Sequence, residues 1–87
     1  MKSYKLHPFP LTLKVRKAPL EEGPVACTSF FGSEVEVVLS PEATSKECCH
    51  EAVHVVQAVE MYIETKLDNE TQAYLTAHVF EKLCRCL

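Results

Sequence analysis

Apolar and polar residues alternate in the first half of the chain, where the pattern predicts β-strands. In residues 11–17, leucine or valine occupies every second position from residue 11 to 15, with threonine and basic residues alternating, the period of a half-buried strand. Residues 25–31 and 34–39 are rich in strand-forming side chains and are separated by Gly32-Ser33. Glycine at the first central position suits a type II′ turn, so we expect these two segments to form a hairpin.

Two proline-containing segments connect the predicted strands to the rest of the chain. Residues 18–24 contain two prolines and a glycine and are expected to form a loop. Residues 7–10 read HPFP. A residue that precedes proline is disfavoured in the helical region, so we expect this segment to be an extended lead-in to the first strand.

The second half of the chain has the pattern of helices. Thr44 is followed three residues later by Glu47, the spacing of a capping box that starts a helix. No glycine or proline occurs from there to residue 66. Asp68 or Asn69 can cap a second helix, which is predicted to run from about residue 70 to residue 83. Its expected apolar contacts are Ala73, Ala77, Val79, Phe80 and Leu83.

These elements predict one α+β domain that spans residues 1–87. A small antiparallel sheet of about three strands occupies residues 1–39, and a helical part that includes the candidate metal-binding residues occupies 44–87. A chain of 87 residues has room for only a small hydrophobic core. A bound metal ion is therefore an expected additional source of stability.

Composition and charge narrow the classes of function. The chain is 47% hydrophobic and 24% charged, which is typical of a globular protein rather than a disordered one. The net charge of −3, without a cluster of lysine and arginine, argues against a nucleic-acid partner. The chain has no apolar run long enough to cross a membrane and no secretory signal at its start. We therefore expect a cytoplasmic protein.

The five cysteines do not predict a disulfide framework. Their number is odd, two of them are adjacent, and no export signal is expected, so reduced thiols are the preferred interpretation. A separate site built from three of them is the alternative. The five residues are Cys27, Cys48, Cys49, Cys84 and Cys86, of which Cys48, Cys84 and Cys86 would form that separate site.

The residues with the clearest chemistry lie in the segment ECCHEAVHVVQ, residues 47–57. His50 and His54 stand four apart, so on a helix both imidazoles project from one face and can reach the same ion. Two neutral imidazoles, a carboxylate and a water form the open tetrahedral site of catalytic zinc. Glu51 directly follows the first histidine and is placed to accept a proton from that water, whose pKa the metal lowers.

The third ligand is expected from the second helix, where Glu70 follows His54 by sixteen residues. A first helix that continued to residue 66 would leave Glu70 about 18 Å from His54, at 1.5 Å per residue. We therefore expect the first helix to end earlier, near Met61 or Tyr62, so that the chain folds back toward the histidines. The alternative is that these residues form the polar face of a partly exposed helix.

The arrangement of His50, Glu51 and His54, with Asn69-Glu70 downstream, resembles the gluzincin class of zincin metallopeptidases. In that class, as in thermolysin-like enzymes, an Asn-Glu pair on a second helix supplies the third ligand. The resemblance implies that the two histidines and Glu70 bind Zn²⁺ and that Glu51 is the general base. For Glu51 the alternative is a solvated glutamate beside a purely structural zinc ion.

The segment Glu70-Thr71-Gln72-Ala73 is similar to the Glu-x-x-Ala element of ImmA/IrrE-type peptidases from phages and mobile elements. The resemblance covers roughly residues 34–83. It implies a minimal zincin-like fold and a substrate cleft that needs an edge strand beside the motif helix.

Either of the segments 25–31 and 34–39 could supply that edge strand and pair with an extended peptide. Tyr74 and His78 follow Glu70 by one and two helical turns on the same face. Either could steady an oxyanion or a ligand, and Tyr74 is the preferred candidate. The alternative is a packed tyrosine and an exposed histidine.

These observations leave three functional hypotheses. The first is a zinc-dependent metallopeptidase that acts on peptides or proteins through metal-activated water. The second is a non-catalytic, zinc-stabilised protein-binding module with a zincin-like fold. The third is a helical interaction domain without a metal ion. All three predict a peptide or protein partner, and none predicts a nucleic acid or a membrane.

Overall fold

The computed structural model describes residues 1–20 and 25–87 and contains a four-stranded sheet followed by two helices. The α+β class predicted from the sequence is confirmed. The elements are β1 (Lys2–Lys5), β2 (Thr12–Lys17), β3 (Ala26–Phe31), β4 (Glu34–Leu39), α1 (Ser45–Ile63) and α2 (Asn69–Cys84).

The sheet is mixed, with the strand order β1-β2-β4-β3. The central strands β2 and β4 are parallel, whereas the β1–β2 and β3–β4 pairs are antiparallel. The prediction of about three antiparallel strands was therefore wrong in strand number and in the direction of the central pair. After β2 the chain crosses to the far edge of the sheet to form β3, and the hairpin then returns β4 to the position beside β2.

Strand β1 is the element that the alternation of apolar and polar residues missed. Its sequence, KSYK, has one apolar side chain among polar ones and is largely exposed. Pairing with β2, in which Tyr4 lies opposite Leu13, holds it in the sheet. Residues 7–10 form the turn between the two strands rather than an extended lead-in. The Phe9 amide donates to the Leu6 carbonyl at 2.8 Å, and the Leu6 amide donates to the Leu11 carbonyl at 3.0 Å.

The β3–β4 hairpin was predicted correctly, including its turn. Phe31 pairs with Glu34, which leaves Gly32 and Ser33 as a two-residue loop. Gly32 has φ 61°, a left-handed conformation that glycine adopts at little cost. Ser33 is not among the residues with positive φ, as expected for a type II′ turn and not for type I′. The predicted loop at 18–24 lies partly outside the described residues.

The core lies between the sheet and the helices. Alternate residues of β2 and β4 point inward, and their neighbours form the outer face, where Lys14 contacts Glu34 at 3.0 Å and Arg16 contacts Glu36 at 3.5 Å. These pairs are partly exposed and add little stability. The largest fully buried side chains are Leu6, Leu13, Val15, Val35, Val37, Leu39, Cys48, Val55, Val59, Val79 and Leu83.

Both helix starts follow the sequence signals. Glu47 accepts hydrogen bonds from the backbone amide and the hydroxyl of Thr44, at 2.8 and 2.7 Å. Asp68 accepts from the Thr71 amide at 2.8 Å, which completes the N-cap of α2. Helix α1 ends at Ile63, one or two residues beyond the predicted end.

The two helices form an antiparallel hairpin joined at Glu60. This carboxylate accepts from the Leu67 amide at 2.8 Å and from the Gln72 side chain at 2.7 Å, and these bonds hold its pKa below the ordinary value. The predicted apolar face of α2 was partly wrong, because Ala73 and Ala77 are exposed. Its buried residues are Leu75, Val79 and Leu83, which repeat every four residues on the side that packs on α1. Neither helix could span a membrane, nor could any other helix within the described residues.

Candidate functional site

The two motif histidines meet on the exposed side of α1. The Nε2 atoms of His50 and His54 are 3.1 Å apart, and the Nδ1 atom of His54 is 3.0 Å from the Gln57 side-chain oxygen. An amide oxygen only accepts hydrogen bonds, so Nδ1 of His54 donates this one, and Nε2 is the nitrogen that faces His50. Two ring nitrogens this close need a proton or a cation between them.

The spacing of the two nitrogens fits a zinc ion. With Zn–N bonds of about 2.05 Å and a tetrahedral angle, two imidazole nitrogens lie about 3.3 Å apart. The observed 3.1 Å matches that value to within a small change of side-chain torsion. The hydrogen bond from Nδ1 of His54 to Gln57 is of the kind that fixes the ring orientation of histidine ligands in metal sites.

The histidine pair lies in a groove between α1 and β3, with a volume of about 550 Å³. Because β3 is at the end of the strand order, one row of its backbone N–H and C=O groups has no neighbouring strand in the part of the chain that the structure describes. Strand β4 lies between β2 and β3, so the prediction that residues 34–39 could offer a free edge was wrong. The groove is lined by Val25, Ala26, Cys27, Thr28, Phe30, Lys46, Glu47, His50, Glu51, His54, Gln57, Ala58 and Met61.

Glu51 lines the same groove but is almost fully buried, with 5% of its surface exposed. Its Oε1 atom accepts a hydrogen bond of 2.6 Å from the Thr28 hydroxyl on β3. Among the residues that the structure describes, no buried side-chain oxygen or nitrogen lacks a partner. The second carboxylate oxygen, Oε2, has no hydrogen bond to another described residue. The motif glutamate is thus held at one oxygen, at the wall of the groove that the histidines also line.

Glu70 does not join the histidines. It is an exposed residue in the first turn of α2 and does not line the groove. Helix α2 packs on the side of α1 that carries Glu60. At 100° per residue, that side is about 120° around the helix from His54. No three histidine, cysteine, aspartate or glutamate side chains form a group able to hold a metal ion within residues 1–20 and 25–87.

Tyr74 also lies away from the groove. Its side chain is 73% exposed on α2, and its ring stacks on that of His78 with 6.4 Å between the ring centroids. The structure therefore brings together His50, His54 and Glu51 of the predicted site residues, and leaves Glu70 and Tyr74 on the second helix.

Two residues of the site were not identified from the sequence. Gln57 stands three residues after His54, a helical spacing that brings two side chains together. The contact between them could therefore have been predicted from the sequence. Thr28 carried no comparable signal, because it lies 23 residues before Glu51 and meets it only through the packing of β3 on α1.

The cysteines form no part of this site apart from Cys27, which lines its edge. Cys48 is fully buried. Burial raises the pKa of its thiol to about 12, with a further contribution from the neighbouring Cys84 and Cys86. A thiol with so high a pKa is protonated and unreactive at neutral pH. Cys27 and Cys49 are exposed.

Alkylation of the native protein should therefore proceed in stages. At pH 8 we expect iodoacetamide to modify Cys27 and Cys49 first, and Cys48 only after denaturation, because the reagent needs an accessible thiolate. Peptide mass spectrometry over a time course measures the order. The variants Cys27→Ser and Cys49→Ser should each remove one fast site. Rapid labelling of Cys48 in the folded protein would contradict its burial against α2.

Comparison of this chain with protein-family models, with curated proteins and with solved structures finds no match in any of the three. A function for this chain is therefore proposed from the fold and the groove described above.

Proposed function

We propose that this chain is a minimal zinc-dependent metallopeptidase in which His50 and His54 bind the metal ion and Glu51 is the general base. One observation carries the proposal. The two Nε2 atoms lie 3.1 Å apart in a groove that also contains the Glu51 carboxylate and runs along a sheet edge. A metal pair, a base and a place for an extended chain are the parts that peptide hydrolysis requires.

The substrate in this proposal is an extended peptide that pairs with β3. The free edge of this strand offers backbone donors and acceptors at the spacing of another strand. The groove of about 550 Å³ is of the size that accommodates a few side chains. A peptide added to β3 passes the histidine pair, which places one of its carbonyl groups beside the base.

Each side chain has a role in the chemistry. His50 and His54 would hold a zinc ion, which would supply Lewis acidity toward a water and a peptide carbonyl. Gln57 keeps the His54 ring in the tautomer that presents Nε2 to the groove. Glu51 takes a proton from the attacking water through the oxygen that Thr28 does not hold and delivers it to the leaving amine.

Glu70 is retained in the proposal as the third ligand on the basis of the gluzincin-like Asn69-Glu70 pair. Glu70 does not line the groove, so its participation requires the start of α2 to move toward the histidines. Measurement of zinc affinity in a Glu70 variant tests this part separately.

Glu51→Gln should keep the metal and lose the reaction. The amide retains the size of the side chain but cannot accept a proton, so we expect zinc content equal to that of the wild type and a hydrolysis rate at least about 100-fold lower. Initial rates on a quenched-fluorescent peptide library and zinc analysis of the same samples provide the measurement. Glu64→Gln, at the exposed end of α1 and outside the groove, is the matched control and should cleave normally.

A second function is favoured by the histidine pair itself, which has no third donor among residues 1–20 and 25–87. In this alternative the chain is a non-catalytic protein-binding module that uses the same groove and the same edge of β3. One result would support the binding module and refute the peptidase: the wild type binds peptides of the library and cleaves none of them, and Glu51→Gln binds the same peptides with the same affinity.

A further inference from the structure

The link between the edge strand and the base is a single side chain. The Thr28 hydroxyl donates to Oε1 of Glu51 at 2.6 Å, at the short end of the range for an O–H donor to a carboxylate. Thr28 lies opposite Val37 of β4 and is flanked along β3 by Ala26 and Phe30, which line the same groove. Its side chain therefore points from the sheet toward α1.

This contact decides which carboxylate oxygen is available. A glutamate side chain has three rotatable bonds, so an unsupported carboxylate samples several orientations. Because Thr28 occupies Oε1, the oxygen without a bond to another described residue is Oε2. Proton transfer requires the base within hydrogen-bond reach of the water, and a fixed orientation raises the fraction of time that this condition is met.

We infer that Thr28 is the positioning residue of the general base: it holds Glu51 by one oxygen so that the other faces the groove beside the histidines. The inference rests on the proposed peptidase function and adds a residue that the metal-binding motif does not contain. Thr28 is also part of β3, the strand with which the proposed peptide pairs. The same strand therefore contacts both the peptide and the Glu51 carboxylate, and pairing of a peptide with β3 also restricts the motion of the base.

The test uses three single variants of the full chain. Thr28→Val preserves the branched shape and removes the donor, whereas Thr28→Ser keeps the hydroxyl. Thr12→Val makes the same change at the first residue of β2, outside the groove. With zinc bound, we expect Thr28→Val to lower kcat about tenfold or more, as loss of an outer supporting contact does in metal sites, with KM within about twofold of the wild-type value. Thr28→Ser should recover most of kcat, and Thr12→Val should match the wild type.

A second readout does not depend on activity. Infrared difference spectra of metal-free wild type and Glu51→Gln identify the carboxylate band of Glu51. We expect this band to shift in Thr28→Val, because a carboxylate oxygen loses its donor, and to return in Thr28→Ser. Equal zinc content and equal far-ultraviolet circular dichroism in all variants establish that the fold and the metal site are intact.

The possible failures are distinguishable. If the wild type cleaves peptides and Thr28→Val has the same kcat, or Thr28→Ser is as slow as Thr28→Val, the role of Thr28 is refuted and the peptidase stands. An unshifted infrared band in Thr28→Val refutes the hydrogen bond itself. If the wild type cleaves no peptide, the peptidase is refuted, and the positioning role is refuted with it even where the band shifts.

Discussion

The variant His54→Ala is expected to lose the metal ion. Purified wild-type protein should contain about one zinc ion per chain, and His54→Ala should bind zinc at least about 100-fold more weakly, since loss of an outer supporting contact alone costs 10- to 100-fold in affinity. The physical reason is the pair geometry, in which Nε2 of His54 faces Nε2 of His50 at 3.1 Å. One imidazole cannot replace the chelation that two provide. Elemental analysis and competition with a fluorescent chelator measure content and affinity.

His78→Ala is the matched control for this loss. It removes an imidazole of the same size from α2, where the ring stacks on Tyr74 and does not line the groove. We expect its zinc content to equal that of the wild type. Near-zero zinc in both the wild type and His54→Ala would contradict the peptidase and the zinc-stabilised binding module together, and would leave the helical interaction domain without a metal ion.

The variant Glu70→Gln decides the third donor in the same measurements. Loss of zinc binding comparable to that of His54→Ala would place Glu70 in the metal site and would mean that the start of α2 moves toward the histidines when the ion binds. Affinity equal to that of the wild type would assign the site to the two histidines and solvent, with α2 held where Gln72 bonds to Glu60. The amide in Glu70→Gln keeps the shape of the side chain, so the fold is not expected to change.

The second large effect is expected in the core. Leu13→Ala should lower the free energy of unfolding by about 2–5 kcal/mol, the range for truncation of a buried leucine. Leu13 is fully buried in β2, between Tyr4 of β1 and Val35 of β4. The loss removes apolar surface from the core and leaves a cavity that a sheet paired on both sides cannot close. In a domain of this size, such a change consumes a large part of the total stability.

Urea unfolding followed by circular dichroism measures this effect. Leu87→Ala makes the same chemical change at a side chain that is 43% exposed, and it should stay within about 0.5 kcal/mol of the wild type. Both variants are measured with and without zinc, since a bound ion adds its own stabilisation. A cost below about 1 kcal/mol for Leu13→Ala would contradict the position of β2 at the centre of the sheet.

Features that depend on neighbouring residues were predictable from the sequence. The alternation in residues 11–17 predicted β2, and Gly32 predicted both the β3–β4 hairpin and its turn type. Thr44 with Glu47 predicted the start of α1, and Asp68 predicted the start of α2. Each of these signals acts over a few residues, where local sterics and hydrogen bonds decide the conformation. The approach of the two histidine rings follows from the same helical periodicity.

The sequence alone therefore determined the class of the fold, most of its elements and the pair of imidazoles. Only the tertiary structure decided that β1 adds a fourth strand, that β3 and not β4 is at the edge, and that Thr28 holds Glu51. It also decided on which side of α1 the second helix packs, and hence where Glu70 lies. These features join residues far apart in the chain, and they depend on which packing buries the most apolar surface, a property of the whole chain that no short pattern contains.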